Sequence, residues 1–366
     1  MSLFIFTMRI ALVHDSFTQS GGAERVIEAF HEIFPEAPVF TLVINRRLRE
    51  KYKNWDIRTS WLQVFYNFIP KLQYFLPLIP LAVSSLDFFG YDLVLSSSSG
   101  FIKNIKVPKN CAHINYCHTP MRFLWSDENY VNQEVPWVLR WLIKPALFWM
   151  KKWDYKGAQR VNRFIANSQE VQKRIQLYYH RTSTVIYAFV DTEFWKPSLA
   201  KSDYFLIVGR LQAHKKNDLI VEVFNELGLP LRVVGTGRQE KYLTSIAKPN
   251  VKFLGQLDDY QLREEYGGAK AVIFPQVEDF GLVPLEAAAC GTPTLAYGQG
   301  GALETIIPGV TGEFFDSYNK EKIKQIISNW KSEKYQLTEL QLQAEKFSRK
   351  NFKEKIKMET RLCASV

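Results

Sequence analysis

The sequence is poor in cysteine. Its four residues of this type, Cys111, Cys117, Cys290 and Cys363, show no Cys-x-x-Cys spacing. That excludes a disulfide framework. No histidine cluster accompanies them at zinc-finger intervals, so a zinc module of that kind is excluded too. Long apolar runs are also missing. The two best stretches, 64–83 and 135–150, are interrupted by Lys71, Arg140, Lys144 and several prolines, which argues against a membrane-spanning helix. The N-terminal Met-Ser-Leu-Phe-Ile-Phe-Thr-Met has no basic region and no small-residue cleavage site, so it does not read as a signal peptide. Met8 is the expected natural start, with residues 1–7 as an extension. A reduced cytoplasmic chain is the expectation.

What is present suits a soluble protein with real cores. Hydrophobic residues make up 46% and charged residues 23% of 366 positions, a length for two or three domains. The net charge of +10 is uneven: residues 1–198 carry +8 and residues 199–366 carry +2. The first half is therefore matched to something anionic, such as a phosphorylated substrate, a membrane surface or nucleic acid. No nucleic-acid recognition motif accompanies the charge, and nucleic acid is not expected as a partner.

Short apolar runs alternate with helical patterns along the whole chain. Strands are expected at 8–14, 91–95, 112–116 and 163–167, and again at 204–208, 231–234, 251–254, 271–274 and 294–296. Val26, Ile27, Phe30, Ile33 and Phe34 lie at helical spacing after the first strand, and Leu219, Ile220, Val223, Phe224 and Leu227 do so in the second half. The β-α-β grammar appears on both sides of 189–201, a segment with Pro197 and Ser198 that reads as a linker. The expected fold class is α/β, with two Rossmann-like doubly wound parallel sheets facing a cleft. The boundaries expected are 1–198, 199–345 and a C-terminal helix at 346–366, within a helical pattern over 337–362. Aromatic runs interleaved with Lys and Arg at 61–80 and 137–153 suit a lipid interface, and equally suit helical core with solvated ends.

Three segments carry candidate chemistry. In Glu278-Asp-Phe280-Gly281-Leu282-Val-Pro-Leu-Glu286, two carboxylates flank a strand–loop–helix junction. A helix N-terminus there offers unpaired N–H groups to an anion, and Glu286 can accept from the hydroxyls of a ribose. Arg210 and Lys215 follow another strand and can donate charge-assisted hydrogen bonds to a diphosphate, each worth about 1.5–3 kcal/mol. Gly21 and Gly22 open a helix after the first strand, and His118 follows a third strand in Asn115-Tyr-Cys-His118-Thr-Pro120-Met-Arg122.

The spacing of Glu278 and Glu286 resembles the Glu-x7-Glu signature of retaining family 4 glycosyltransferases of the GT-B fold. Gly209-Arg210-Leu211 with Lys215, Gly21-Gly22-Ala23-Glu24 and Asn167-Ser168 resemble the family's other landmarks, in order. The His-Thr-Pro segment is similar to that of bacterial O-antigen mannosyltransferases. Lys216 and Ala188 depart from the family's usual Gly and Pro. The resemblance implies a retaining glycosyltransferase with catalytic Glu278, His118, Arg210 and Lys215. It implies donor contacts at Gly21, Gly22, Arg210, Lys215, Phe280, Gly281, Leu282 and Glu286. The donor implied is GDP-mannose or another sugar nucleotide, and the acceptor a polyprenyl-linked glycan in surface polysaccharide synthesis. The implied location is the inner face of the cell membrane, held peripherally through the first domain. The chain has no Asp-x-Asp, which fits a site without a required metal or other cofactor. A UDP-sugar donor of glucosyl type and a non-catalytic sugar-nucleotide-binding protein are the alternatives. An epimerase and a phosphorylase share the architecture, but the Arg-x4-Lys and Glu-x7-Glu order and the chain length disfavour them.

Overall fold

The computed structural model describes residues 8–19, 21–126, 137–197 and 202–364, with side chains omitted for 137–144 and 364. The expected extension before Met8 and the linker residues 198–201 therefore lie outside the described residues, as do the side chains in the first half of the 137–153 aromatic run.

Each half of the chain builds one sheet, and every strand pair in it is parallel. Among the described residues the first sheet has seven strands: β1 (Ile10–His14), β2 (Val39–Thr41), β3 (Ile57–Thr59), β4 (Leu93–Ser98), β5 (Ala112–Cys117), β6 (Arg163–Ala166) and β7 (Ser183–Val185). Their order is β3-β2-β1-β4-β5-β6-β7. The second sheet holds β8 (Phe205–Val208), β9 (Leu231–Val234), β10 (Val251–Gly255), β11 (Ala271–Phe274), β12 (Thr294–Tyr297) and β13 (Gly312–Phe315), ordered β10-β9-β8-β11-β12-β13. The chain order reverses beside β1 in one sheet and beside β8 in the other. Such switch points are where open α/β sheets bind ligands, beyond the strand C-termini.

Helices cover the sheets because their apolar residues fall on one face. The helix Gly22–Ile33 buries Val26, Ile27, Ala29 and Phe30, and Asn217–Leu227 buries Ile220, Val221, Val223 and Phe224. Side-chain caps start several of them. Ser168 accepts from the Val171 N–H at 3.1 Å, and Asp258 with Gln261 closes a capping box.

The chain divides into two compact units, Met1–Tyr187 with Lys353–Val366, and Ala188–Phe352. The expected linker at 189–201 is not a free tether over its described part. Phe189, Val190 and Trp195 are buried, the Val190 N–H donates to Phe347 O at 2.9 Å, and Trp195 packs edge-on against Tyr266. The single helical pattern over 337–362 is in fact two helices, Leu337–Lys346 and Arg349–Ala364. The break falls at Phe347 and Ser348, where the first contacts Phe280 at 5.7 Å and the second bridges Val190. Four short strands, β2, β3, β7 and β13, were not expected. Three of them have only three residues, too few to show a period, and β13 opens on Gly312 and Glu313, which break its apolar run.

Of the aromatic run at 61–80, Leu62, Tyr66, Phe75 and Ile79 enter the core, while Val64, Phe65, Phe68, Ile69 and Tyr74 face outward. Phe68 is 83% exposed, so this run is both core and surface.

A fully buried ion pair anchors the loop after β4. Lys103, 1% exposed, pairs with Asp154, 0% exposed, from the helix Trp137–Arg160. Asp154 also accepts from Trp125 Nε1 and from the Tyr179 hydroxyl, both at 2.8 Å. Removing one partner strands the other charge in the interior. Asp154→Ala is expected to lower the unfolding free energy by about 3–5 kcal/mol, read from urea denaturation, whereas Asp154→Asn should cost less because it keeps a hydrogen-bond acceptor.

Candidate active site

The residues singled out in the sequence fall into two groups, one in each unit. In the second unit, β8 ends at Val208 and the chain runs through Gly209 to Arg210, whose side chain is exposed. It makes no side-chain hydrogen bond or ion pair among the described residues. A single 3-10 turn, Ala213–Lys215, then brings Lys215 inward, to 8% exposure. Its ammonium pairs with the Glu278 carboxylate from the loop after β11, so the structure brings these two residues into direct contact. Lys216 follows in the left-handed region at φ 56°, the conformation that makes glycine the usual residue there.

The loop that carries Glu278 packs against two glycines the sequence reading did not single out, Gly300, where a Cβ would stand 2.5 Å from Glu278 O, and Gly301. The Gly301 N–H donates to Glu278 O at 2.9 Å, and a Cβ on Gly301 would stand 2.2 Å from the Phe280 Cα. Only glycine fits, so residues 298–301 shape the loop from the adjacent strand end. Gly281 takes φ 90° and opens the helix Leu282–Ala289, with Pro284 in its first turn. Phe280 is buried against Phe347. Glu286 is buried on that helix and accepts from the Tyr266 hydroxyl at 2.9 Å. Arg210, Lys215, Glu278 and the Gly281 helix start thus border the C-terminal ends of β8 and β11, the neighbouring strands at the switch point. The arrangement offers cations and helix N–H groups to an anion, with a carboxylate beside them.

In the first unit, Gly21 is the N-cap of the helix Gly22–Ile33, with extended backbone. His118 lies one residue beyond β5 and is partly exposed. Its Nε2 is 2.8 Å from Ser97 Oγ, and Ser97 Oγ is 3.2 Å from His14 Nδ1. The register explains the contact. His14 pairs with Ser97 across β1 and β4, Ser97 pairs with Tyr116 across β4 and β5, and His118 shares the face of Tyr116. Beneath lies a second buried histidine, His113, 2.8 Å from Ser96 Oγ. The sequence signal for these partners was the serine run 96–98 at the end of an apolar strand, since polar residues in a buried strand need partners. Asp15 fixes the loop beyond it, accepting from the Ser99, Gly100 and Ile102 N–H groups at 2.6–2.8 Å.

Comparison with known proteins agrees with this fold. The profile of the glycosyl transferases group 1 matches residues 190–351, and that of glycosyltransferase family 4 matches residues 20–194. Each match covers just under half of the chain, one in each unit, and the fold is of the GT-B kind. Its fold is shared by Anabaena HepE, solved with UDP and glucose, at 18% identity and a TM-score of 0.70 over 97% of this chain and 99% of that one. Among curated relatives, a Thermus thermophilus glycogen synthase is 36% identical over 123 residues, 31% of this chain and 28% of its own. A GDP-mannose-dependent monoacylated alpha-(1-6)-phosphatidylinositol monomannoside mannosyltransferase of Corynebacterium glutamicum is 31% identical over 135 residues, 32% of this chain and 35% of its own. The matched stretches thus span about a third of these relatives' lengths.

Two histidines, the buried His113 and the half-buried His118, give this GT-B chain an acid-side liability. Burial lowers the pKa of His113 to about 3, helped by Arg160, and burial with the neighbouring His14 lowers that of His118 to about 3. The unfolded chain binds these protons below its ordinary value of about 6.5, so stability is complete above that pH and falls as pH drops toward 3. Denaturation midpoints measured between pH 7 and 4 should fall, and His113→Gln should flatten that slope.

Proposed function

We propose that this protein transfers a hexosyl group from a nucleotide-sugar donor to a hydroxyl of a lipid-linked glycan, with retention of configuration, and that the donor is GDP-mannose. The observation that carries the donor-site reading is the cationic strand edge of the second unit. There Lys215, paired with Glu278, stands beside the exposed Arg210 and the helix start at Gly281. Departure of a nucleoside diphosphate develops negative charge on phosphate oxygen, which fixed cations and helix N–H groups stabilise without reorganising. The sugar left behind has oxocarbenium character. The acceptor hydroxyl attacks from the face the diphosphate vacates, and its proton passes to a departing phosphate oxygen. Glu278 is the carboxylate available for the rival double displacement, and a covalent sugar adduct on it would favour that route. Glu286 is assigned to the ribose hydroxyls, which would donate to its carboxylate in competition with the Tyr266 hydroxyl. His118, Gly21 and Gly22 are assigned to the sugar and phosphate from the first unit.

The mannosyl reading rests on the resemblance of residues 115–122 and on the mannosyltransferase relative. The glucosyl alternative has its own support in HepE, which was solved with UDP and glucose. A thermal-shift screen separates them, because a ligand that binds the native state raises its melting temperature. GDP and GDP-mannose are expected to stabilise the protein selectively, with or without chelator. A UDP-selective shift would redirect the donor to a glucosyl type, and no shift with any nucleotide would favour a non-catalytic role. Arg210→Ala and Lys215→Ala should each lower kcat by about 10-fold or more with smaller changes in KM, since the charge they meet grows in the transition state. Unchanged turnover in both would remove the diphosphate assignment.

Peripheral membrane contact belongs to the same proposal. No helix among the described residues is long and apolar enough to cross a membrane. The outward residues Phe65, Phe68, Ile69, Tyr74 and Leu81 instead form an exposed apolar set beside Lys71, in the unit that carries most of the positive charge. Aromatic rings with cations nearby suit anionic headgroups. Sedimentation with phosphatidylglycerol vesicles should capture the protein, and the double variant Phe65→Ser with Phe68→Ser should reduce capture several-fold. Equal capture of both proteins would return the face to an ordinary surface.

A further inference from the structure

The contacts behind His118 extend into a chain of four side chains whose ends differ in character. The buried Glu24, in the first turn of Gly22–Ile33, places Oε1 3.8 Å from His14 Nε2. Its other oxygen, Oε2, has no hydrogen-bond partner among the described residues, although Glu24 is only 4% exposed. His14, 2% exposed, reaches Ser97 through Nδ1, and Ser97 reaches His118 through Nε2.

Donor counting gives this chain a direction. Ser97 has one hydroxyl proton and two imidazole neighbours, so it donates to one ring and accepts from the other. A neutral His14 carries one proton. With Glu24 ionised, a proton on Nδ1 would leave a bare Nε2 lone pair facing that carboxylate, lone pair against anion. With the proton on Nε2, His14 points a donor at Glu24 and offers Nδ1 as an acceptor. Ser97 then donates to His14 and accepts from His118 Nε2–H. His118 is left with an unprotonated Nδ1. A doubly protonated His14 would reverse every bond, so the direction belongs to the neutral ring.

We infer that Glu24, His14 and Ser97 are positioning residues that hold His118 in its Nε2–H tautomer, so that Nδ1 accepts a hydrogen bond from a sugar hydroxyl. The buried carboxylate sets the polarity, the serine relays it, and the strand register fixes the ring. The role of the hydroxyl ligand rests on the glycosyltransferase reading above. The tautomer itself does not.

The test uses the full-length protein without ligand. Imidazole nitrogen-15 shifts at pH 8 report which ring nitrogen bears the proton. The expected result is His118 protonated on Nε2 with Nδ1 bare. Ser97→Ala and Glu24→Gln should each convert it to a mixture of tautomers, and Ser97→Thr should restore the wild-type pattern. With GDP-mannose as donor, Ser97→Ala should lower kcat about 10-fold, the worth of one such hydrogen bond, with KM changed less than about twofold. A proton on His118 Nδ1 in the wild type would overturn the inference. So would a tautomer ratio that neither variant moves. Glu24 and Ser97 lie in separate elements, so a variant that fails to fold leaves the other to decide. Absence of turnover with intact tautomer control would instead refute the glycosyltransferase reading and leave the relay standing.

Discussion

Parallel pairing is the constraint on which the rest of this structure depends. A parallel sheet must return each chain crossing to the same end, so all strand C-termini share one edge and all the loops that follow them crowd there. In each unit the chain order reverses at the first strand, which leaves a gap between outgoing connections. The sequence spends its polar residues at that edge. In the second unit these are Arg210, Lys215 and Glu278. In the first they are His14, Ser97 and His118, with Asp15 pinning the loop between them. Elsewhere the central strands are mostly apolar, because both faces of such a sheet are covered by helices.

The two edges solve different electrostatic problems. The second unit's edge is cationic and mostly built from loops, with glycines at 281, 300 and 301 allowing backbone to lie where no side chain fits. Its one buried cation, Lys215, is balanced by Glu278, and a diphosphate would enter as a competitor for that cation. The first unit's edge is built on strands, which hold side chains more rigidly than loops do. Its histidines lie among hydroxyls, and one buried carboxylate at the far end of the chain supplies direction.

Stability and function are linked through buried polar groups rather than through apolar packing alone. The Lys103–Asp154 pair ties the loop after β4 to a long helix, and the same loop is capped by Asp15 next to His14. The serine strand therefore cannot shift without disturbing both. The exposed aromatic face around Phe65 and Phe68 is separate in kind: it is backed by an apolar cluster including Phe75 and Ile79, so it presents surface without weakening the core.

Much of this was legible in the sequence. Short apolar runs between amphipathic helices determine two parallel α/β units, because few other folds bury strands on both faces. The Gly-Arg-Leu, Glu-x7-Glu and His-Thr-Pro landmarks mark candidate chemistry because strand ends and helix starts are local features with local signals. The sequence did not reveal β2, β3, β7 and β13, whose few residues show no period and which form only beside a neighbour. Nor did it reveal that 189–195 packs into the second unit, or that the last helical pattern breaks at Phe347. Those outcomes depend on partners distant in the chain, Ser348 for Val190 and Phe280 for Phe347. The same holds for the relay. Glu24, His14, Ser97 and His118 come from four elements, and only strand register places them in line. Composition and spacing decide which residues reach the edge of a sheet, and tertiary pairing decides which of them touch.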